Sequence, residues 1–269
     1  MIARAFVVAV VLVGVVGQSA AGATVDPIGD WKIESSEARC VAVRKYGDVA
    51  DPITLAVKAP PYKSDVLQLA IIRSGYRKSA EQSGAKILIN SQEYDTYALG
   101  YPLASHKQTA TLFTLSPTIS AALRKASSFS FSLKGGARES FAFGPSESMW
   151  TDLAACVERL SRTWNMGGGE GSRFAQRVSG SLRGIFTSAD YPREAVLAQF
   201  AGSSRVLLLI DEAGNVKDCT VLETSGMAVL DSKTCGVITQ RAKFTPAVGA
   251  DGKPMKDSYV QRIDWTVKR

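Results

Sequence analysis

The side chains able to do chemistry in this chain are few and scattered. Cys40, Cys156, Cys219 and Cys235 are its thiols, and His106 is its single histidine. There is no Cys-x-x-Cys pair, the spacing that a thioredoxin-like redox centre needs. His106 stands between Ser105 and Lys107 in a stretch read as loop. One imidazole without a carboxylate cluster does not build a multi-histidine metal site. Ser83-Gly84-Ala85-Lys86 has the Ser-x-x-Lys spacing in which lysine deprotonates serine, an arrangement that should open a helix. Here it runs into a strand pattern, Lys86 to Ile89, and the companion Ser-Asp-Asn and Lys-Thr-Gly motifs do not occur. Gly-x-Ser-x-Gly is missing too. The run Gly167-Gly168-Gly169-Glu170-Gly171 lacks the Lys-Ser/Thr and the preceding strand of a phosphate-cradling loop. Nucleophile, base and orienter are nowhere assembled. The reading is a non-enzyme without cofactor or metal; an envelope enzyme with a site in the N-terminal half is the weaker alternative.

The cysteines fit an exported protein. Arg4, the apolar run Ala5 to Val16 and the small residues Ala21-Gly22-Ala23 form the three parts of a signal peptide over residues 1–23. A 12-residue apolar core falls short of the ~20 that a spanning helix needs. Cleavage and a periplasmic location are expected; the alternative is an uncleaved inner-membrane anchor. Four cysteines in an oxidising compartment imply disulfides. Cys219 sits on a strand pattern and Cys235 on the following helix pattern, both facing inward. Their bridge would close a loop of about 15 residues and contribute roughly 3 kcal/mol. By elimination Cys40 pairs with Cys156; four buried free thiols are the rival reading.

A length of 269 residues, 45% apolar and 21% charged, supplies two ordinary cores. The net charge of +7 is spread without a basic run, which argues against nucleic acid as a partner. Residues 24–164 read as a β-rich domain, with short strands at Trp31–Ile33, Ala38–Val43, Ile53–Val57, Val66–Ile72, Lys86–Ile89, Thr109–Thr114, Phe129–Leu133 and Phe141–Phe143. Ser116-Pro117 starts a short helix ending near Lys125. A longer helix runs from Ser146 to Trp164 with Met149, Leu153, Cys156, Val157, Leu160 and Trp164 on one stripe, read as core. Residues 165–172 read as a flexible Gly-rich linker. Arg173 to Phe186 is expected to pack along the domain that follows.

Residues 173–269 organise the rest, and the fold class is α+β. Tyr191 is placed as the cap of a helix with Pro192 at its first position. Val206, Leu208 and Ile210 share one face of a strand. A turn over Asp211–Asn215 leads to a second strand, Val216 to Leu222, whose Val216, Cys219 and Val221 share the inner side if it carries an irregularity. A helix over Met227–Ala242 and a strand over Ser258–Lys268 follow. A right-handed crossover then places the first strand in the middle and the last at an edge. That edge, Tyr259, Val260, Gln261, Arg262, Ile263, Asp264 and Trp265, is the candidate site, because unpaired backbone groups accept a peptide as an added strand. For the Tyr259 and Trp265 side chains a place in the core is the simpler role.

These motifs resemble a known family. Asp190-Tyr191-Pro192…Ala195, Asp211…Gly214-x-Val216, Thr224-Ser225-Gly226…Leu230-Asp231 and Arg241-Ala242-Lys243-Phe244-Thr245-Pro246-Ala247 are similar to the C-terminal domain of the TonB family. Asp251-Gly252-Lys253-Pro254 and Trp265 continue the match. The resemblance implies a small domain that recognises an extended segment of an outer-membrane transporter by strand addition. A homo-oligomer is a further possibility. The family's transducers carry a proline-rich spacer, whereas the 10 prolines here are scattered, and Ala189-Asp190 stands where a Gln-Pro pair is common. A membrane-anchored energy transducer is therefore the alternative reading. Trp31-Lys32-Ile33 before Cys40, and Phe131-x-Leu133-x-Gly135 before Cys156-Val157, resemble β-sandwich invasion-associated envelope proteins.

Overall fold

The computed structural model describes residues 24–61, 65–103, 107–144, 146–166 and 174–267. The expected signal peptide, His106, most of the Gly-rich linker and Lys268 lie outside these residues.

Alternating burial builds the N-terminal region. Strand β1 (Thr24–Val25) and strand β2 (Pro27–Ser35) are separated by Asp26 alone. Strands β3 (Cys40–Gly47), β4 (Pro52–Lys58), β5 (Leu67–Ser74), β6 (Glu81–Ile89), β7 (Gln92–Pro102) and β8 (Gln108–Leu115) follow. Helix α1 (Pro117–Arg124) is capped by the Ser116 hydroxyl, which accepts from the Ile119 N–H. Then come β9 (Ser128–Leu133), β10 (Arg138–Ala142) and helix α2 (Glu147–Thr163). The ladder runs β1-β10-β9-β6-β7-β8-β5-β4-β3-β2. Its two ends are one stretch of chain, so the sheet wraps round and closes, leaving few free edges. The second resemblance implies a sandwich of two facing sheets, whereas the described strands here form one continuous sheet.

One core fills this barrel. Leu55, Leu67, Leu69, Ile71, Ile87, Ile89, Phe113, Phe129, Phe131 and Phe141 point inward, as the period-2 pattern dictates. The stripe of α2 enters the same core through Met149, Leu153, Cys156, Leu160 and Trp164. Cys40 on β3 is bonded to Cys156 on α2, with Cα atoms 6.0 Å apart.

The C-terminal region is a second assembly. Strand β11 (Phe174–Gln176) precedes helix α3 (Arg193–Leu197). Strands β12 (Gly202–Ile210) and β13 (Val216–Glu223), helix α4 (Ala228–Arg241), and strands β14 (Ala247–Gly249), β15 (Pro254–Met255) and β16 (Asp257–Trp265) complete it. The main sheet is ordered β13-β12-β16, with both outer strands antiparallel to β12. The first strand is thus central and the last is at an edge, as the crossover argument requires. Strands β11, β14 and β15, which the sequence pattern does not announce, form a second small sheet.

Local chemistry explains the details. The register of β12 with β13 shifts between Leu209 and Ile210, so Val216, Cys219 and Val221 do share the α4 side. Cys219 is bonded to Cys235 of α4, Cα atoms 5.5 Å apart. Gly214 has φ +78° in the turn, and a Cβ there would lie 2.0 Å from the Phe244 carbonyl oxygen, so only glycine fits. Helix α3 differs from expectation: Pro192 is its N-cap, one residue later than the spacing suggests. Tyr191 instead donates its hydroxyl to the Phe200 carbonyl at 2.7 Å.

The two regions share their apolar surface. Leu207, Leu209 and Leu222 are buried in the barrel's core cluster, with Val260 packed against it. Val206, Leu208 and Ile210, on the opposite face, lie under α4 with Phe244 and Val178. Around the contact, Asp218 of β13 accepts from Arg39 Nε at 2.9 Å and Lys58 Nζ at 2.8 Å. Burial pushes the Lys58 ammonium below its usual pKa, and the Asp218 carboxylate opposes that shift. Lys256 pairs with Glu37 and lies over the Trp164 ring. Asn165 donates to the Lys256 carbonyl at 2.8 Å, and Gln82 accepts from the Val229 N–H of α4 at 2.8 Å.

Candidate peptide-binding edge

The three-stranded sheet has two outer strands, and they are treated differently. Strand β13 meets the barrel, which reaches it through Arg39 and Lys58. Strand β16 pairs with β12 over nine residues, from Gly202 opposite Trp265 to Ile210 opposite Asp257. No described strand pairs with its other flank. Its alternate backbone N–H and C=O groups on that flank therefore have no ladder partner among the described residues.

Both ends of β16 are pinned. Asp257 is fully buried and accepts from Arg177 at 2.6 and 2.8 Å and from the Val178 N–H at 3.0 Å. A bidentate guanidinium fixes both distance and plane. At the far end Trp265 donates its Nε1–H to Thr234 Oγ1 at 2.9 Å. Its ring meets Phe186 and Tyr191 edge-on, centroids 5.5 and 5.3 Å away. Residues 177–186 thus start beside the beginning of β16 and finish beside its end. Val178, Leu182, Ile185 and Phe186 pack on the α4-side core, as expected for that stretch.

The seven candidate residues divide by what they touch. Tyr259 packs on Phe244, ring centroids 5.2 Å apart, and Trp265 is buried as above, so both side chains serve the core. Val260 goes into the barrel contact and Ile263 is half-buried among the α4-side groups. Gln261 donates to the Arg262 carbonyl at 2.9 Å, while Arg262 and Asp264 are exposed and paired at 2.8 Å. Outward charges on an edge strand discourage indiscriminate pairing. Beyond Trp265, helix α3 buries Ala195 in the same cluster and turns Leu197 to solvent, 73% exposed. The backbone flank, rather than any one side chain, is what this site presents.

Asp257 is the residue that sequence reasoning missed. A carboxylate just before an alternating run reads as an ordinary strand entrance, and its partner Arg177 lies eighty residues away in sequence. The Ser83–Lys86 tetrad lies on β6, where Ser83 donates to the Gly84 carbonyl at 3.1 Å. Among the described residues no three His, Cys, Asp or Glu side chains gather as a metal site, and no helix is long and apolar enough to cross a membrane.

Residues 187–267 match the family model described as Gram-negative bacterial TonB protein C-terminal. That stretch therefore carries the likeness to a TonB-family C-terminal domain, a family of non-catalytic protein-interaction domains. The motifs that carry the likeness meet one another in space. Asp190 takes both arms of Arg241 at 2.7 and 2.9 Å. The Gly214 carbonyl accepts from the Phe244 N–H at 3.0 Å. Thr224 and Ser225 both donate to Asp231. No curated protein and no solved structure matches the chain.

Proposed function

We propose that this TonB-family domain, residues 173–269, is a periplasmic module that binds an extended segment of an outer-membrane transporter or other envelope protein. The segment adds as a fourth strand beside β16, and the module is joined through residues 165–172 to the barrel of residues 24–164. The observation that carries this reading is the flank of β16 that has no strand partner among the described residues, with the strand anchored at Asp257 and Trp265. Strand addition draws its affinity from main-chain hydrogen bonds and its selectivity from alternate side chains. Leu197 supplies exposed apolar surface near one end, and Arg262 and Asp264 offer charges along the way. No catalytic step is assigned.

The test is a titration of transporter N-terminal peptides onto the chain from Thr24 to Arg269, followed by backbone amide resonances. Shifts should concentrate on Asp257–Trp265. A peptide of the same sequence, N-methylated at alternate residues, should bind at least tenfold more weakly because its ladder donors are gone. If millimolar peptide moves no amide of β16, recruitment by strand addition is lost. Mass spectrometry of the native N-terminus separates export from anchoring: a chain starting near Thr24 removes the energy-transducer alternative.

A further inference from the structure

The outer face of the barrel carries an opening of its own, beside the C-terminal region. Residues directly opposite each other in an antiparallel ladder share a face of the sheet. Tyr97 of β7 stands opposite Gly84 of β6. On the other side of Gly84 is Lys134, just past β9, whose N–H donates to the Gly84 carbonyl at 2.8 Å. One row across the sheet thus reads Tyr97, Gly84, Lys134. The next row on that face is Asp95, Lys86, Ser132. The row before it holds Leu99 and Gln82, and the Gln82 side chain accepts from the Val229 N–H at the start of α4. Gly84 leaves the middle of this patch bare, and a Cβ there would meet no atom within 4 Å. The result is a trough over Gly84, walled by Tyr97, Lys134 and Lys86 and, from the C-terminal region, by Thr224 and Ala228. It belongs to a cavity of about 790 Å³. That volume falls within the range of small-molecule sites. Neighbouring strands lie about 5 Å apart, so the walls of Tyr97 and Lys134 stand about 10 Å apart, wide enough for a ring lying flat.

We infer that this trough binds a neutral saccharide. Charge, polarity and shape each select that class. The charges around the trough are matched: Lys86 is held by Glu93 and Asp95, and Asp231 takes the Thr224 hydroxyl and the Ser225 N–H. An anionic ligand would face Asp95, whose side chain is 89% exposed, and a cationic one would face Lys134, so a net charge of either sign is disfavoured. Polar groups are nevertheless left over. The hydroxyls of Tyr97, Ser132 and Thr114 and the Lys134 ammonium have no hydrogen-bond or ion-pair partner among the described residues. A purely apolar ligand would cover these groups and strip them of water, whereas a polyhydroxylated one supplies donors and acceptors to all of them. Tyr97, 43% exposed, adds an aromatic wall, the surface against which the C–H face of a sugar ring packs. Strand β16 contributes no residue to this cavity, so the site is separate from the peptide-binding edge.

The probes are cellotriose, maltotriose and chitotriose, all neutral oligosaccharides, titrated onto the chain from Thr24 to Arg269 and followed by amide resonances. At least one should shift Gly84, Tyr97, Ser132 and Lys134 while leaving Asp257–Trp265 in place. Gly84→Val puts a side chain into the open space of the trough, so the fold should persist, as unchanged spectra without sugar would confirm. Sugar binding by that variant should fall about tenfold or more. Tyr97→Ala should weaken binding by a similar factor, whereas Tyr97→Phe, which keeps the ring, should cost about threefold at most. The assignment is overturned if no amide of the Tyr97–Gly84–Lys134 row moves with any of the oligosaccharides at roughly tens of millimolar. It is overturned equally if the folded Gly84→Val chain binds as the parent does. Identical shifts from cyclohexanol would replace it with an apolar cleft. Glucuronate binding about tenfold more tightly than glucose would replace it with an anion site at Lys134.

Discussion

The two faces of the C-terminal sheet are covered in contrasting ways. The face of Val206, Leu208 and Ile210 is covered by its own neighbours: α4, the Cys219–Cys235 bond and the stretch from Val178 to Phe186. The face of Leu207, Leu209, Leu222 and Val260 is covered by the barrel of the N-terminal region, whose core residues run from Ala38 to Trp164. A hairpin, a helix and a strand can close the first face by local chain return. The second needs a partner, and this chain carries the partner in itself. The consequence is that β12 is buried on both sides, while β13 is tied to the barrel through Asp218 and β16 carries no such ion pair along its outer flank among the described residues.

The largest expected effect comes from separating the faces. Burying an aliphatic side chain contributes about 2 kcal/mol, so four of them place on the order of 8 kcal/mol in the barrel contact. That is comparable with the whole stability of a domain, roughly 5–15 kcal/mol. A fragment of residues 173–269 should therefore self-associate or lose fixed near-ultraviolet circular dichroism, while the chain from Thr24 remains monomeric. A monomeric fragment with native spectra and an unchanged unfolding midpoint would show that the barrel contact is incidental.

The next effect compares the two disulfides. Cys40–Cys156 spans 116 residues and Cys219–Cys235 spans 16. Loop-closure entropy assigns about 4.7 kcal/mol to a loop near the first length and about 3 kcal/mol to one near the second. Urea unfolding of the paired serine variants should rank them in that order. The reverse order would mean that the bond between β13 and α4 does more than restrain the unfolded chain.

Much of this was legible in the residues. The edge position of the last strand, both cysteine pairings and the irregularity in β13 follow from alternation, spacing and the handedness of crossovers. Strand β7 was missed because Gln92, Glu93, Asp95 and Gly100 dilute its alternation. A signal existed in Asn90-Ser91, two residues with φ +48° and +67°, the turn that closes a tight hairpin. The barrel contact was missed for a different reason. Val206-Leu207-Leu208-Leu209-Ile210 is a continuous apolar run, the mark of a strand buried on both faces, yet only its alternate members were read as inward. Nothing local says what covers the second face, and the same holds for Arg177 with Asp257. Partners that far apart leave no periodic trace.

The smallest expected effect sharpens the contrast at the self-covered face, where Asp190 ties residues 185–190 to the end of α4. Hydrogen bonds from Arg241, and then from the Thr187 N–H and hydroxyl, hold its carboxyl well below the usual 3.8. A carboxylate depressed in this way contributes stability that is complete above about pH 3.8 and is lost as pH falls through the lower folded value. Asp190→Asn removes the charge that Arg241 grips. Its melting temperature should lie below that of the parent chain at neutral pH, with the gap closing as the buffer is taken from pH 5 toward pH 2. The barrel-facing substitution Leu209→Ala should instead lower the midpoint by a similar amount at every pH, because a lost aliphatic contact binds no proton. Parallel curves for Asp190→Asn and the parent would show that Arg241 does not depend on this carboxylate, leaving the ring contacts of Phe186 and Trp265 to hold that end of the edge.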